Sequence, residues 1–394
     1  MNNNLKQRIE EIRAISTHSH HLKDDEFVEF DLERLLKRTY VDWCGAAMGD
    51  TSESREKYLE KVRYNSYFIW LSRSLKELYN IDQDMTLENW ELYSDKINAA
   101  HKDRGWHKTI LTGKCGYSRV ILDAYWDPGS DNGHRDLFAP TFRVDPMFFG
   151  FSKDAFDHDH NNVFSMYGKE FDNLDAILDF AYRKINENVK GGSVCLKNAI
   201  AYDRTVKYEE TTKENAKKVF KKRNASKEDI KNFQDYLFYE ICRLAAELDV
   251  PIQCHTGLGC NDDTRAIAMR EIIKKNPKTK FVIFHASFPW TSDILALLHN
   301  YPNVYADICW LPLLSPTAAV QTLHQLIEVG TSEKICWGCD TWTSEESYGA
   351  RLAVNSVLSD VLEAKISNGY FSHSEALRMA ENVLRNNAKE LYKL

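Results

Sequence analysis

The sequence predicts an α/β chain folded as a (β/α)8 (TIM) barrel, with a helical insertion after its first strand. Three observations carry this expectation. Eight short apolar runs recur along the chain, most of them separated by helix-length amphipathic segments. Several runs are apolar throughout and do not alternate, as parallel strands buried on both faces require. Five of the eight close in His, Lys or Asp, and strand C-termini are where such a barrel carries its chemistry.

The first run contains Ile12, Ala14 and Ile15 and ends at His18 and His20. Residues i and i+2 of a strand share a face, so these two imidazoles project together. From Asp24 to about Arg104 the chain changes character. Asp31–Tyr40, Glu53–Tyr79 and Leu87–His101 read as helices, with Leu59, Val62, Phe68, Leu71 and Leu75 on one apolar face and Trp70 and Trp90 in the core. Thr86, followed by Glu88 and Asn89, suits a helix start.

A regular alternation follows. Strands are expected at Arg119–Trp126, Leu137–Val144, Gly192–Lys197, Val250–His255, Lys280–His285, Asn303–Cys309 and Lys334–Asp340. Helices are expected at Phe171–Ile185, Lys213–Lys222, Glu228–Leu248, Asp263–Lys274, Thr291–His299, Ala318–Val329, Glu346–Lys365 and Ser374–Leu391. A chain of 394 residues is long enough for two domains. No repeat, low-complexity tract or linker divides it, so one barrel domain over 1–394 with an insertion at about 24–104 is the expectation.

Composition narrows the class. The chain is 43% hydrophobic and 12% aromatic, enough for a sizeable core. A net charge of −7 and a pI near 6.0 argue against a nucleic-acid partner. Met1 to Arg13 has no apolar signal segment, and no run is long and apolar enough to span a membrane. The nine cysteines are odd in number, and Cys195, Cys254, Cys309 and Cys336 lie in apolar runs. Buried thiols in a reducing cytoplasm account for them better than a disulfide framework.

The strand-end residues form one set: His18, His20, Lys197, His255, His285 and Asp340. Several imidazoles and a carboxylate on one rim are the donor set of Zn²⁺ or a related divalent ion. Such an ion lowers the pKa of bound water to about 7 and supplies hydroxide at neutral pH, and Asp340 is placed to shuttle the proton. Lys197 has two readings. Carboxylated by CO₂, it becomes an anionic bridge between two metals; as an ammonium, it binds an anionic substrate group. Three look-alikes are set aside. His158-x-His160 lies in a polar stretch, 154–162, and reads as a solvated loop. Cys336-x-x-Cys339 falls within strand eight, not at the start of a helix as a redox pair would. His21 points away from His20, and His299, His324 and His373 sit on helices.

At these residues the chain resembles the amidohydrolase superfamily. The resemblance sharpens in Val194–Arg204 (VCLKNAIAYDR), Pro251–Gly257 (PIQCHTG), His285–Pro289 (HASFP) and Asn303–Asp307 (NVYAD), which look like its amidohydrolase 2 branch. The helical insertion resembles that of uronate isomerases, another branch. The resemblance implies that His18, His20 and Asp340 hold one metal, with Lys197, His255 and His285 serving a second in binuclear members. In mononuclear members the residue matching His255 joins the first metal and that matching His285 polarises the substrate. Ser16 stands where an acidic residue is usual. The activity implied is hydrolysis of a C–N (amide-like) or ester bond of a small polar substrate by a metal-bound hydroxide, with Asp340, His285 and Lys197 catalytic. Arg143, Tyr202, Arg204 and Trp290 are the candidates for substrate contact. The cofactor implied is one or two divalent ions, Zn first, and the resemblance suggests a homo-oligomer. The alternative activities are uronate-isomerase-like sugar-acid isomerisation and metal-dependent decarboxylation.

Overall fold

The computed structural model describes residues 5–221, 225–260 and 264–394. Its centre is an eight-stranded parallel sheet in sequential order: β1 (Ala14–Ser19), β2 (Tyr117–Leu122), β3 (Phe138–Arg143), β4 (Cys195–Asn198), β5 (Ile252–Cys254), β6 (Phe281–Ile283), β7 (Val304–Asp307) and β8 (Ile335–Cys336). The seam between β8 and β1 is closed by main-chain bonds. Thr17 N–H donates to Trp337 C=O at 3.2 Å, Asp340 N–H to His18 C=O at 2.9 Å, and His20 N–H to Thr341 C=O at 2.9 Å. The eight expected strands are therefore present, in order, as a (β/α)8 barrel with helices around it.

The barrel interior is a packed core. Ile15, Ile121, Cys195, Val282 and Cys336 fill it. Ala388, Leu391 and Tyr392 of the C-terminal helix Asn387–Tyr392 close its lower mouth. Tyr392 Oη accepts from Gln253 Nε2 at 3.1 Å, and the same amide nitrogen donates to Thr17 C=O at 2.8 Å, so both hydrogens of that buried nitrogen are used. Cys195, Cys254, Cys309, Cys336 and Cys339 are buried thiols. They provide small side chains where opposing strands converge. No helix of the described residues is long and apolar enough to cross a membrane.

Several boundaries differ from expectation for identifiable reasons. The helix expected over Glu53–Tyr79 is two helices, Ser52–Val62 and Ser66–Tyr79. Asn65 splits them, because its side chain accepts from Tyr67 N–H and caps the second. The last expected helix is interrupted by a wider turn at Asn382–Asn386. β2 ends at Leu122, four residues before the expected end, because Ala124-Tyr125-Trp126 prolongs the apolar run after the chain has left the sheet. Lys222 and Asp263, expected helix ends, lie outside the described residues.

The helices between β1 and β2 dock on the long helix Ser344–Ser367. The carboxylate of Glu345 is the anchor. Its Oε1 accepts from Tyr79 Oη at 2.7 Å, His101 Nε2 at 2.8 Å and Trp106 Nε1 at 3.3 Å, all from helices between β1 and β2. The next residue, Glu346, accepts from Tyr40 N–H at 2.6 Å. Trp70 and Trp90 are buried, as expected.

Gly338 fixes how closely β8 approaches β1. A Cβ there would lie 2.6 Å from Thr17 Oγ1 and 2.7 Å from His18 N. Gly338→Ala is therefore expected to push the β8 end, with Asp340, away from His18. The cost should be about 1–3 kcal/mol from overpacking, together with weaker metal uptake, read by thermal denaturation and metal analysis.

Candidate active site

Each end of this rim places one element of the site. His18 lies in β1 and His20 one residue beyond it; both are buried. His20 Nδ1 is 2.9 Å from Asp123 C=O. A carbonyl only accepts, so Nδ1 carries the hydrogen and Nε2 keeps its lone pair. That lone pair faces Asp340 Oδ1 at 3.2 Å. His18 Nε2 lies 3.7 Å from the same oxygen. Two acceptors this close call for a cation between them. His18, His20 and Asp340 offer three ligand atoms within 4.8 Å of one another, all on buried residues.

A second pair of imidazoles stands one step around the rim. His255 Nε2–H donates to Leu258 C=O at 2.6 Å, and His285 Nδ1–H to Cys309 C=O at 3.0 Å. Their remaining lone pairs, on His255 Nδ1 and His285 Nε2, meet at 3.0 Å. Burial lowers the basicity of His18 and His255 well below the ordinary imidazole value and that of His285 to about 4, so all three are neutral, the ligand-competent form. A second group, His285, Cys309 and Asp340, also converges. Its thiol is a poor ligand, because burial and the charges of Asp340 and Asp307 hold it protonated.

Asp340 and His285 sit in strained backbone. Asp340 has φ +58°, and His285, Ala286 and Ser287 have φ +59°, +47° and +59°. Non-glycine residues rarely take this left-handed region, and they do so chiefly where surrounding contacts force them. Burial disfavours the Asp340 carboxylate. The imidazoles of His20, His18 and His285 around it outweigh burial and hold Asp340 well below the usual carboxylate range. Lys197 is buried, with Nζ 3.4 Å from His18 Nε2 and 4.0 Å over the Phe284 ring. Burial lowers its pKa, against the pull of Asp123 and Asp340. Ser16, at the usual acidic position, braces the seam: its hydroxyl donates to His18 C=O at 3.1 Å and accepts from Cys339 N–H at 3.0 Å.

These groups open into a cavity of about 230 Å³. Its walls include Tyr40 and Trp43 from the insertion, Tyr125 after β2, Arg143 of β3, His158 and Asp159 from the loop beyond β3, Tyr202 after β4, and Trp342 after β8. The pocket is thus small and aromatic, with cations and carboxylates on its floor. Arg143 is buried among Asp123, Asp145 and Asp159; burial opposes its charge, and the three carboxylates more than offset this.

Of the residues expected from sequence, His18, His20, Lys197, His255 and Asp340 line this pocket. His285 stands just beneath, against His255. Arg143 and Tyr202 also line it, and Tyr202 packs on His255 at 4.4 Å. Arg204 lies elsewhere, bonded to Gln234 at 3.1 Å and Asp235 at 2.8 Å, and Trp290 lies beside Arg265. His21 is turned away, with Nδ1 3.2 Å from Trp342 C=O. The stretch 154–162 is not the solvated loop expected. Asp157 is buried and His158 half-buried, because Asp157 accepts from the backbone N–H of Asp159 and Asn161 and folds the loop on itself.

Sequence reasoning missed Asp123, whose Oδ2 lies 2.6 Å from Arg143 and 3.7 Å from His18 Nε2. It is the polar residue closing the β2 run, and the same strand-end signal identifies it once the strand stops at Leu122. Tyr40 and Trp43 carry no comparable signal, because only the docked insertion brings them to the rim.

Comparisons with known proteins agree with this architecture. Residues 201–394 match the family model described as amidohydrolase. Over 150 residues, 36% of the chain, it is 30% identical to Protein fluG of Emericella nidulans. The chain spans only 17% of that relative's length. A uronate isomerase from Thermotoga maritima superposes with a TM-score of 0.78 at 16% identity, covering 98% of this chain and 96% of the other. A proposed metal-dependent hydrolase from Lactobacillus casei superposes with a TM-score of 0.74 at 15% identity, covering 99% and 97%. At such identities the likeness to both structures is one of fold.

Proposed function

Because the chain is an amidohydrolase-superfamily protein, we propose that it is a metal-dependent hydrolase that cleaves an amide-like C–N bond or an ester bond of a small, polar, anionic substrate. One observation carries this reading: the lone pair of His20 Nε2 and the Asp340 carboxylate converge at 3.2 Å, with His18 beside them, on the floor of a cavity open to substrate. His18, His20 and Asp340 would hold the first ion. Lys197, His255 and His285 are the groups for a second, with Lys197 carboxylated by CO₂; burial favours its neutral amine, the form that reacts with CO₂. Nitrogen and oxygen donors of this kind suit Zn²⁺ first. A divalent ion there supplies Lewis acidity and makes water a nucleophile near neutral pH.

The chain's own residues do the rest. Asp340, anionic and buried, takes the proton released as water attacks the scissile carbon. Arg143, and Lys197 when it remains an ammonium, oppose the substrate's negative charge. Tyr40, Trp43 and Trp342 exclude bulk water and limit the substrate to about the size of a single ring with short substituents. We read the chain as one catalytic barrel unit carrying residues 24–104 as an insertion, working in the cytoplasm on a small molecule.

A second reading, aldose–ketose isomerisation of a sugar acid, draws support from the insertion, since the fold shared with a uronate isomerase runs through the helices that bring Tyr40 and Trp43 to the pocket. One experiment separates the two. Metal-replete protein is incubated with uronates and with a panel of carboxylate-bearing amides, lactones and esters in ¹⁸O water. Oxygen-18 in the product is the expected result; aldose–ketose conversion without it would replace hydrolysis by isomerisation.

A further inference from the structure

The loop after β3 holds His158-x-His160, a motif to which the metal reading gives no task. His160 is exposed, but His158 lines the pocket. Its ring is held on three sides. Nδ1 lies 2.9 Å from Asp203 Oδ2, the ring packs on Tyr202 at 4.6 Å, and Nε2 lies 3.3 Å from Asp159 Oδ2. The Asp203 carboxylate accepts the Nδ1 hydrogen, which fixes the ring's orientation and leaves Nε2 to Asp159 and to the cavity that His158 and Asp159 both line. A carboxylate behind an imidazole whose far nitrogen faces a substrate cavity is the arrangement of a proton-transfer residue.

We infer that His158, oriented by Asp203, is a second proton-transfer residue of this site, one that protonates the leaving group. The inference rests on the hydrolase reading. The acyl carbon gains the water oxygen, and the water's proton goes to the Asp340 carboxylate. The C–N or C–O bond breaks with its electron pair on the leaving atom, which takes the proton from His158 Nε2. Asp340 then releases a proton and His158 regains one through solvent, so no further reactant is consumed. Asp203 is a positioning residue.

The surroundings suit an acid. Burial disfavours the imidazolium, but the Asp203 hydrogen bond and the charges of Asp159 and Asp203 outweigh it and raise the His158 pKa, while Arg143 opposes them. Tyr202 from the turn after β4, Asp145 beyond β3, and Asp157 of its own loop are the other titratable groups facing it. Asp159, bonded to Arg143 at 3.1 Å, spaces the two cations.

The test uses the full, metal-replete chain, His158→Gln and Asp203→Asn, and a series of aryl esters and anilides of one small carboxylic acid with graded leaving groups. His158→Gln is expected to lose about 100-fold in kcat on the poorest leaving group, to approach wild type on nitrophenolate, and to keep its KM. Asp203→Asn is expected to retain intermediate activity, with the basic limb of its pH profile moved down. A loss that is uniform across the series, or confined to KM, overturns the proposal. A second readout is independent of hydrolysis: the His158 ring signal in histidine-labelled protein, assigned by its absence in His158→Gln and titrated with and without benzoate as pocket probe. The signal is expected to move with benzoate, and its midpoint to fall in Asp203→Asn. If wild type hydrolyses no member of the series, the hydrolase reading fails and this signal decides alone. Unmoved, it overturns the placement of His158 against the ligand; moved, with its midpoint lowered in Asp203→Asn, it keeps His158 as an Asp203-oriented ionisable group facing the ligand, while the leaving-group role falls with the hydrolase reading.

Discussion

Asp340→Asn is expected to keep the shape of the site and most of its metal while lowering kcat by roughly 10²–10⁴-fold. The amide oxygen can still face His18 and His20, which now lie 3.7 and 3.2 Å from Asp340 Oδ1. It cannot accept the water's proton. The charge that His18, His20 and His285 stabilise at this position is also lost. His18→Ala and His20→Ala should behave differently, with metal content falling along with activity, because each removes a donor from a three-atom group. Metal analysis beside steady-state kinetics separates these outcomes. Near-zero metal in replete wild type would remove the premise, and wild-type kcat in Asp340→Asn would remove the proton-acceptor role. In a crystal of the loaded protein, density beyond Lys197 Nζ joining two ions would establish the binuclear form. A bare amine beside one ion would establish the mononuclear one.

Glu345→Ala is expected to destabilise the chain by about 3–5 kcal/mol, the cost of breaking a buried charge-assisted network by removing one partner. Three side chains from the helices between β1 and β2, Tyr79, His101 and Trp106, donate to one Glu345 oxygen, and Glu345 is fully buried. Without the carboxylate, two buried donors and the half-buried Trp106 lose their acceptor at once. Urea denaturation gives the loss directly. The insertion also supplies Tyr40 and Trp43, so substrate KM should rise in any fraction that stays folded. The pH dependence has a definite sign. Burial would raise the Glu345 pKa, but His101 and the hydrogen bonds from His101 and Tyr79 overcome it and lower it from 4.5 to about 2. A depressed carboxylate contributes stability that is fully present above about pH 4.5 and is lost as pH falls toward 2. Wild type should therefore lose more stability over that interval than Glu345→Gln. Equal losses would show that the network carries no charge.

Much of the site was legible because its signal is local. A strand of a parallel barrel must be apolar throughout and must turn polar where it reaches the rim. His18, His20, Lys197, His255, His285 and Asp340 each obey that pattern within a few residues of chain, so period and run length locate them without any contact map. The signal failed at Asp123 because Ala124-Tyr125-Trp126 disguised the strand's end. It failed at His158 because a polar stretch reads as solvated whether or not its own hydrogen bonds fold it back onto a pocket.

Local pattern is enough to read the barrel, the succession of its strands and the chemical types on its rim, because backbone periodicity and burial on both faces act residue by residue. Which nitrogen of His20 and of His285 is left to a metal follows from packing, since it depends on carbonyls distant in the chain: Asp123 for His20, Cys309 for His285. The tertiary structure also decided the pocket's size and aromatic walls. Those are set by an insertion held down through one carboxylate 244 residues from its histidine partner, and at that separation no local pattern records the contact.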